Sequence, residues 1–351
     1  MRFGAAFFLV VLGGWSATIG GEASLSRIVS SFDYRYVPAV ASRGDHLLLL
    51  DTYNHRLLWI SEKTHGQDRQ VGWIGQDQGS LFTPFDFTLL PGGRVAILDN
   101  EGRNLEVFSE QGRSERRISL PGVANSLAAD SSGHVLVSLP GGDNFIKVIG
   151  EDGRVLRSFG SPRKFSDFYG PRVADRDARF GRWINRCKIA VDPSNNVYVA
   201  FEAAPVVQKY DSRGVLLFER QIEGPEAAEI VEGVRIKKKS PVVHGYWGDG
   251  LSLPYIVTGV TFDRLDNELI VLLLWDRMWI KRIGESGHVR QTLDIADHHL
   301  LLQKPFADSQ NGRVLFATLS SKLGSGIYEM TLGKDGSQGG SSNDSTRKEV
   351  K

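Results

Sequence analysis

Cysteine is almost absent. Cys187 is the only one in 351 residues, so no internal disulfide can form and stability must come from burial and closure of the fold. Beside apolar Ile189 and Val191, its thiol reads as a small core group. An excess of one charge is also missing. The 42 Lys and Arg against 41 Asp and Glu leave a formal net charge of +1. That removes any global pull toward nucleic acid or an acidic membrane, and a charge-based partner must be read from local patches. Long amphipathic helices are lacking, the one short helical candidate being Pro225 to Val234. No Gly-x-Ser-x-Gly elbow, His-Glu-x-x-His pair or phosphate-cradling Gly loop occurs. The turns Asp192–Asn196 and Asp263–Asn267 lack the ligand count and closing Glu of a calcium loop and read as hairpin turns.

The first residues do have a pattern. Arg2 gives a short positive start, Phe7 to Leu12 is a compact apolar run, and Gly21 and Ala23 stand at −3 and −1 from a cleavage point before Ser24. Residues 1–23 are expected to be an export signal. The apolar run falls short of the roughly 20 residues of a membrane span, and no Cys follows it to carry a lipid. The expectation is a secreted or periplasmic protein with no stable membrane anchor after cleavage; a retained N-terminal anchor is the alternative.

A unit recurs six times. Its second strands are Leu47–Leu50, Val95–Leu98, Val135–Val137, Val197–Ala200, Leu269–Leu272 and Val314–Ala317, whose first residues are 48, 40, 62, 72 and 45 apart. Before them come turns such as Arg43-Gly44-Asp45, Pro91-Gly92-Gly93 and Gln310-Asn311-Gly312. After a third strand come Gln111-Gly112, Asp152-Gly153, Arg213-Gly214 and Ser286-Gly287. Gly and Asn accept the positive φ of tight hairpins. Periods of about 40–50 residues with several short strands each specify propeller blades. The fold expected is all-β: a six-bladed β-propeller with four-stranded antiparallel blades.

Asp51-Thr52-Tyr53-Asn54-His55-Arg56-Leu57-Leu58-Trp59-Ile60 resembles the NHL signature, an Asn-His-Arg/Leu turn between two strands. A degraded copy runs from Asp99 to Phe108, and Leu81-Phe82-Thr83-Pro84-Phe85 is similar to the Phe-x-x-Pro that opens an NHL blade. The chain thus resembles the NHL-repeat six-bladed propellers of the TolB-like superfamily over residues 34–333, with the sharp motif present once.

The ends predict how the ring closes. After Lys334-Asp335-Gly336 the chain becomes too polar and Gly-rich for a strand, whereas Leu25–Phe32 is a spare apolar stretch ahead of blade one. It is expected to be the outer strand of blade six, giving a propeller over 24–336 and a disordered tail over 337–351.

The two long spacings place insertions at 160–186 and 222–258, both between blades and so on one face. The first holds Arg163, Lys164, Arg172, Arg176, Arg179, Arg182 and Arg186 against Asp167, Asp175 and Asp177, with Phe165, Phe168, Tyr169, Phe180 and Trp183 interleaved. Arg forks grip carboxylates and phosphates, and aromatics give stacking area; salt bridging to the three Asp is the alternative use. The second holds Arg235, Lys237, Lys238 and Lys239, then His244, Tyr246, Trp247 and Asp249 among glycines. These aromatics either form an exposed platform or pack beneath the loop. The candidate ligand-binding face is Arg172, Arg176, Arg179, Arg182, Trp183, His244, Tyr246 and Trp247, for a protein, peptide or glycan, an anionic one suiting it best, with no nucleic acid partner.

NHL-like propellers include lyases that hold zinc with three His on different blades, and the resemblance puts His55 at a position like one of those ligands. A catalytic zinc needs about three protein ligands. The matching loops offer Arg103-Asn104, Asp143-Asn144, Pro205, Arg277 and Lys322 instead. His55 therefore reads first as a structural turn residue, and His244, His298 and His299 would need unproven loop geometry to reach the channel. Two functions stay open: a non-enzymatic exported binding module without cofactor, and a channel-centred lyase or lactonase using Zn or Ca.

Overall fold

The computed structural model describes residues 16–18, 24–30, 37–64, 66–75, 77–177, 181, 183–236, 255–275, 277–295, 302–308, 310–318 and 326–331. Six antiparallel sheets follow one another around a ring. Blades one to five each use four consecutive strands. Their inner strands are Val40–Arg43, Asp86–Leu89, Ser126–Ala129, Cys187–Val191 and Val257–Asp263. Blade six begins at Leu302–Asp308, continues through Arg313–Thr318 and Gly326–Thr331, and takes its outer strand from the start of the chain, Ser24–Ser30. This is the closure expected from the spare N-terminal stretch. Ser16–Thr18, inside the segment read as an export signal, adds a short fifth strand outside it. The tail at 337–351 lies outside the described residues.

The apolar second strands are explained by what flanks them. Side chains alternate between the two faces of a strand, and in a blade both faces meet a neighbouring blade. In Arg313–Thr318, Val314 and Phe316 pack toward blade five with Ile270, Leu272 and Ile280. Leu315 and Ala317 pack toward blade one with Leu47, Leu49 and Leu58. Leu48 and Leu50 then face blade two with Val95 and Ile97. The core is this series of interblade seams, and each fully buried Leu or Ile contributes about 1.5–3 kcal/mol.

Each blade is also latched to the one before it. The turns after the third strands contain Gly112, Gly153, Gly214 and Gly287, all with φ between 80° and 88°. A Cβ at Gly214 would sit 2.8 Å from the Phe159 ring on blade three's outer strand, so only glycine fits both the dihedral and the contact. At the same end, cations of one blade reach glutamates in the next blade's turn: Arg43 to Glu110 at 2.8 Å, Arg94 to Glu151 at 2.5 Å, Lys209 to Glu285 at 3.8 Å and Arg313 to Glu62 at 2.5 Å. A small cleft of about 120 Å³ opens there between blades two and three, lined by Leu90, Arg94, Ile118 and Glu151. It is far from the insertions, and the Arg94–Glu151 ion pair lies in its wall.

Candidate ligand-binding face and the channel

The opposite end carries both insertions, and they touch. The first starts with α1 (Phe165–Tyr169) and a 3-10 turn at Pro171–Arg176; the second starts with α2 (Pro225–Ile236), which covers the helical candidate. Buried Asn185 sews the first insertion shut, accepting from Arg163 N at 2.8 Å and donating to Arg163 O and Gly181 O. Tyr169 then links the two. Its hydroxyl donates to Ala203 O at 2.6 Å, and its carbonyl accepts from Arg235 Nε on α2 at 3.0 Å.

Of the predicted face residues, Arg172 is exposed on the 3-10 turn and Trp183 is half-buried. Arg176 lies on the same turn, with its side chain outside the described atoms. Arg179, Arg182, His244, Tyr246 and Trp247 lie outside the described residues. Two further arginines of the first insertion are ion-paired. Arg163 binds Asp167 and Glu219 and lies 5.3 Å over the Phe168 ring. Arg186 donates from Nε to Glu202 at 2.7 Å and lies 5.7 Å over the Trp183 ring, a cation–π contact. Salt bridging is thus part of what the basic insertion does. Arg186 nevertheless keeps 35% of its side chain exposed, and its two terminal nitrogens have no hydrogen-bond partner among the described residues.

Glu202 organises this end of blade four. It follows the second strand, Val197–Phe201, and its carboxylate is 3% exposed. It takes Arg186 on one oxygen, and Lys188 and Asn125 Nδ2 on the other, both at 3.0 Å. Its backbone carbonyl accepts from Ile256 and Val257, joining blade four to blade five. Burial alone disfavours the Glu202 charge, but Lys188 and Arg186 outweigh it and hold the pKa below the ordinary 4.5. Burial likewise opposes the Lys188 ammonium, and Glu202 with Tyr255 and Asp86 overcomes it, raising that pKa. Behind them, Asn125 accepts from Ser138 Oγ at 2.6 Å, and Cys187 lies 3.3 Å from that hydroxyl. Burial pushes the Cys187 thiol up to about 12, so it stays protonated and inert, in line with its reading as a core residue.

The channel itself is bolted. Lys304, on blade six's inner strand, crosses to blade two and ion-pairs with Asp86, 218 residues away. It donates also to Phe87 O at 2.7 Å and Leu127 O at 3.5 Å. Asp86 accepts in turn from Leu127 N at 3.1 Å and Phe87 N at 2.9 Å. A bare Gly259 allows this, since a Cβ there would lie 2.8 Å from Lys304 Cα. Burial lowers the Lys304 pKa despite Asp86, and Lys188 adds repulsion. Three cations, Arg186, Lys188 and Lys304, therefore meet two carboxylates, Glu202 and Asp86, at the mouth. Sequence reasoning missed Lys188, Glu202, Asp86 and Lys304. The available signal was a charged residue inside or ending an apolar strand, where burial demands a partner.

His55 sits in the turn between blade one's second and third strands at φ 56°, a left-handed position held by its N–H to Thr52 O at 3.3 Å. Its Nδ1 is buried without a hydrogen-bond partner among the described atoms. No cluster of three or more His, Cys, Asp or Glu forms among the described residues. Among the described residues, Asp86 and Glu202 at this end are paired with ammonium and guanidinium groups, a donor set that does not fit Zn or Ca. No helix among the described residues is long and apolar enough to cross a membrane.

No family model and no curated protein matches the sequence. Solved structures do match. A catalytically inactive variant of virginiamycin B lyase from Staphylococcus aureus, determined with quinupristin, is 14% identical with a TM-score of 0.55, over 89% of this chain and 100% of that one. A Bacteroides fragilis protein provisionally named as exported is 11% identical with a TM-score of 0.57, over 89% and 95%. A luciferin-regenerating enzyme is 16% identical with a TM-score of 0.55, over 88% and 95%. At these identities the likeness establishes the fold: the chain is a six-bladed β-propeller.

Proposed function

We propose that this chain is an exported, non-enzymatic binding module of the NHL type, needing no cofactor, that takes an anionic ligand on the face built from insertions 160–186 and 222–258. The observation that supports it best is Arg186. Its guanidinium is held by buried Glu202 and lies over Trp183, yet 35% of its side chain stays exposed. A cation oriented before binding loses little freedom when it grips a carboxylate. Lys188 and Lys304 add positive charge nearby. Export rests on the N-terminal pattern, and cleavage before Ser24 would spare the whole closing strand, Ser24–Ser30.

The test is calorimetric titration of residues 24–351 with acidic peptides and acidic oligosaccharides, comparing wild type with Arg186→Ala and Trp183→Ala. A ligand that loses at least about tenfold affinity with Arg186→Ala, about 1.4 kcal/mol, supports the reading. Ligands indifferent to both substitutions remove it. The competing reading, a metal-dependent lyase or lactonase, draws on the lyase neighbour's shared fold and on the unpartnered His55 Nδ1. Stoichiometric Zn or Ca that disappears with His55→Ala would replace the binding reading with that one.

A further inference from the structure

The face has a second anchor of different chemistry on blades one and two. The described residues between them, 72–75 and 77–85, form an interblade strap that leaves large apolar groups in water. Trp73 is 57% exposed and Ile74 67%; Phe82 is 39% exposed, and Tyr53, on the adjoining blade-one turn, 55%. The strap itself is fixed. Leu81 N donates to Trp73 O at 2.8 Å, Gly79 N to the buried Glu106 carboxylate at 3.2 Å, and Arg117 Nη2 to Ser80 O at 3.1 Å. Phe82 N and Thr83 N donate to Asp99, and Thr52 Oγ1 joins the Tyr53 turn to Pro84 O at 2.5 Å. A strap with a hydrogen-bonded backbone that leaves a Trp and an Ile exposed has the character of a contact hot spot, because little backbone ordering is left to do at binding.

We infer that the ligand of this face is an extended polypeptide, acidic at one end and apolar at the other, lying across the channel mouth from Arg186 and Trp183 to Trp73, Ile74, Phe82 and Tyr53. The inference rests on the binding reading above and adds the class of ligand. Three observations carry it. The anchors belong to loops at one end of the ring: the strap leads into the inner strand that begins at Asp86, Asp86 pairs with Lys304, and Lys188 lies near Lys304 and pairs with Glu202, which also holds Arg186. Lys304 ties blade six's inner strand to blade two's beneath this face, and a ligand reaching both anchors lies over that tie. The anchors also want different partners, a carboxylate at one end and apolar side chains at the other. A sugar ring stacks on flat aromatics, but Ile74, the most exposed of the four, offers no flat surface and is best covered by another apolar side chain. One backbone carrying both kinds of side chain satisfies both ends.

The experiment uses residues 24–351 and synthetic fluorescent peptides. One bears a triple-Glu block, one a Phe-Leu-Trp block, and a series joins the two through Gly/Ser spacers of about 4 to 16 residues. Binding is read by anisotropy for wild type, Arg186→Ala, Trp73→Ala and Ile74→Ser, with melting curves to confirm that each variant folds. The expected result is a linked peptide binding about 100-fold more tightly than either block, with an optimum spacer length. Trp73→Ala and Ile74→Ser should each erase most of that gain. If the acidic block binds in an Arg186-dependent way, while linkage gives no gain and Trp73→Ala changes nothing, the polypeptide inference is wrong and the anionic-ligand reading survives. If no peptide responds to Arg186→Ala, both fall.

Discussion

Replacing Lys304 by Met is the sharpest perturbation of the bolted channel. The variant keeps the length of the side chain and removes its charge. Asp86, whose side chain is 6% exposed, then loses its ion-pair partner and keeps only the longer-range attraction of Lys188 among the described residues, and the Phe87 and Leu127 carbonyls lose a donor. Its two backbone hydrogen bonds from Phe87 and Leu127 remain, which caps the damage. Removing one partner of a buried ion pair costs about 3–5 kcal/mol. Because the Lys304 ammonium is itself disfavoured by burial, the lower end applies, about 3 kcal/mol. At about 2 °C per kcal/mol for a large domain, the melting temperature should fall by about 6 °C. The assay is thermal melting followed by circular dichroism for wild type, Lys304→Met, Asp86→Asn and the double variant. The double variant should lose less than the sum of the singles, since the second change removes the orphaned charge. A Lys304→Met protein within about 1 °C of wild type, or singles that simply add, would refute a cross-channel bolt.

Three other outcomes follow from the same geometry. The Glu202 pKa is depressed in the fold, so its contribution to stability is present above the unfolded value of 4.5 and is lost as pH falls through the folded value; acid unfolding below about pH 4.5 should be less steep in Glu202→Gln, and an unchanged acid limb counts against the charge cluster. Gly214→Ala forces a non-Gly residue to φ 88° with a Cβ 2.8 Å from Phe159, a strain of about 1–3 kcal/mol, which urea melts would register; no loss would mean the turn relaxes freely. Deleting residues 1–30 removes blade six's outer strand and bares the Gly326–Thr331 edge, so the truncated chain should aggregate or melt early in light scattering and calorimetry, while residues 24–351 should remain monodisperse; equal behaviour of the two would show that the strand does not close the ring.

Much of the architecture was legible because propeller strands obey local rules. The six apolar second strands, the glycine and asparagine turns and the spare N-terminal stretch each express a need visible in the chain: two buried faces, a positive φ, an uncovered edge. The spacing of the insertions likewise put them on one face, and Tyr169 meeting Arg235 follows from that. The chemistry at the mouth was not legible. Lys188 and Lys304 looked like single charges in unrelated strands, 116 positions apart. Only the closed ring brings them beside one another, with Glu202 and Asp86 as their partners. Arg163 and Arg186 were visible as basic residues. That Arg163 pairs with Glu219 and Arg186 with Glu202 depends on contacts made only in the folded ring. Strand, turn and closure are set by periodicity and backbone preference, which the sequence determines by itself. Ion pairs across the channel and between loops depend on distances that exist only once all six blades have met, and these the tertiary structure decides.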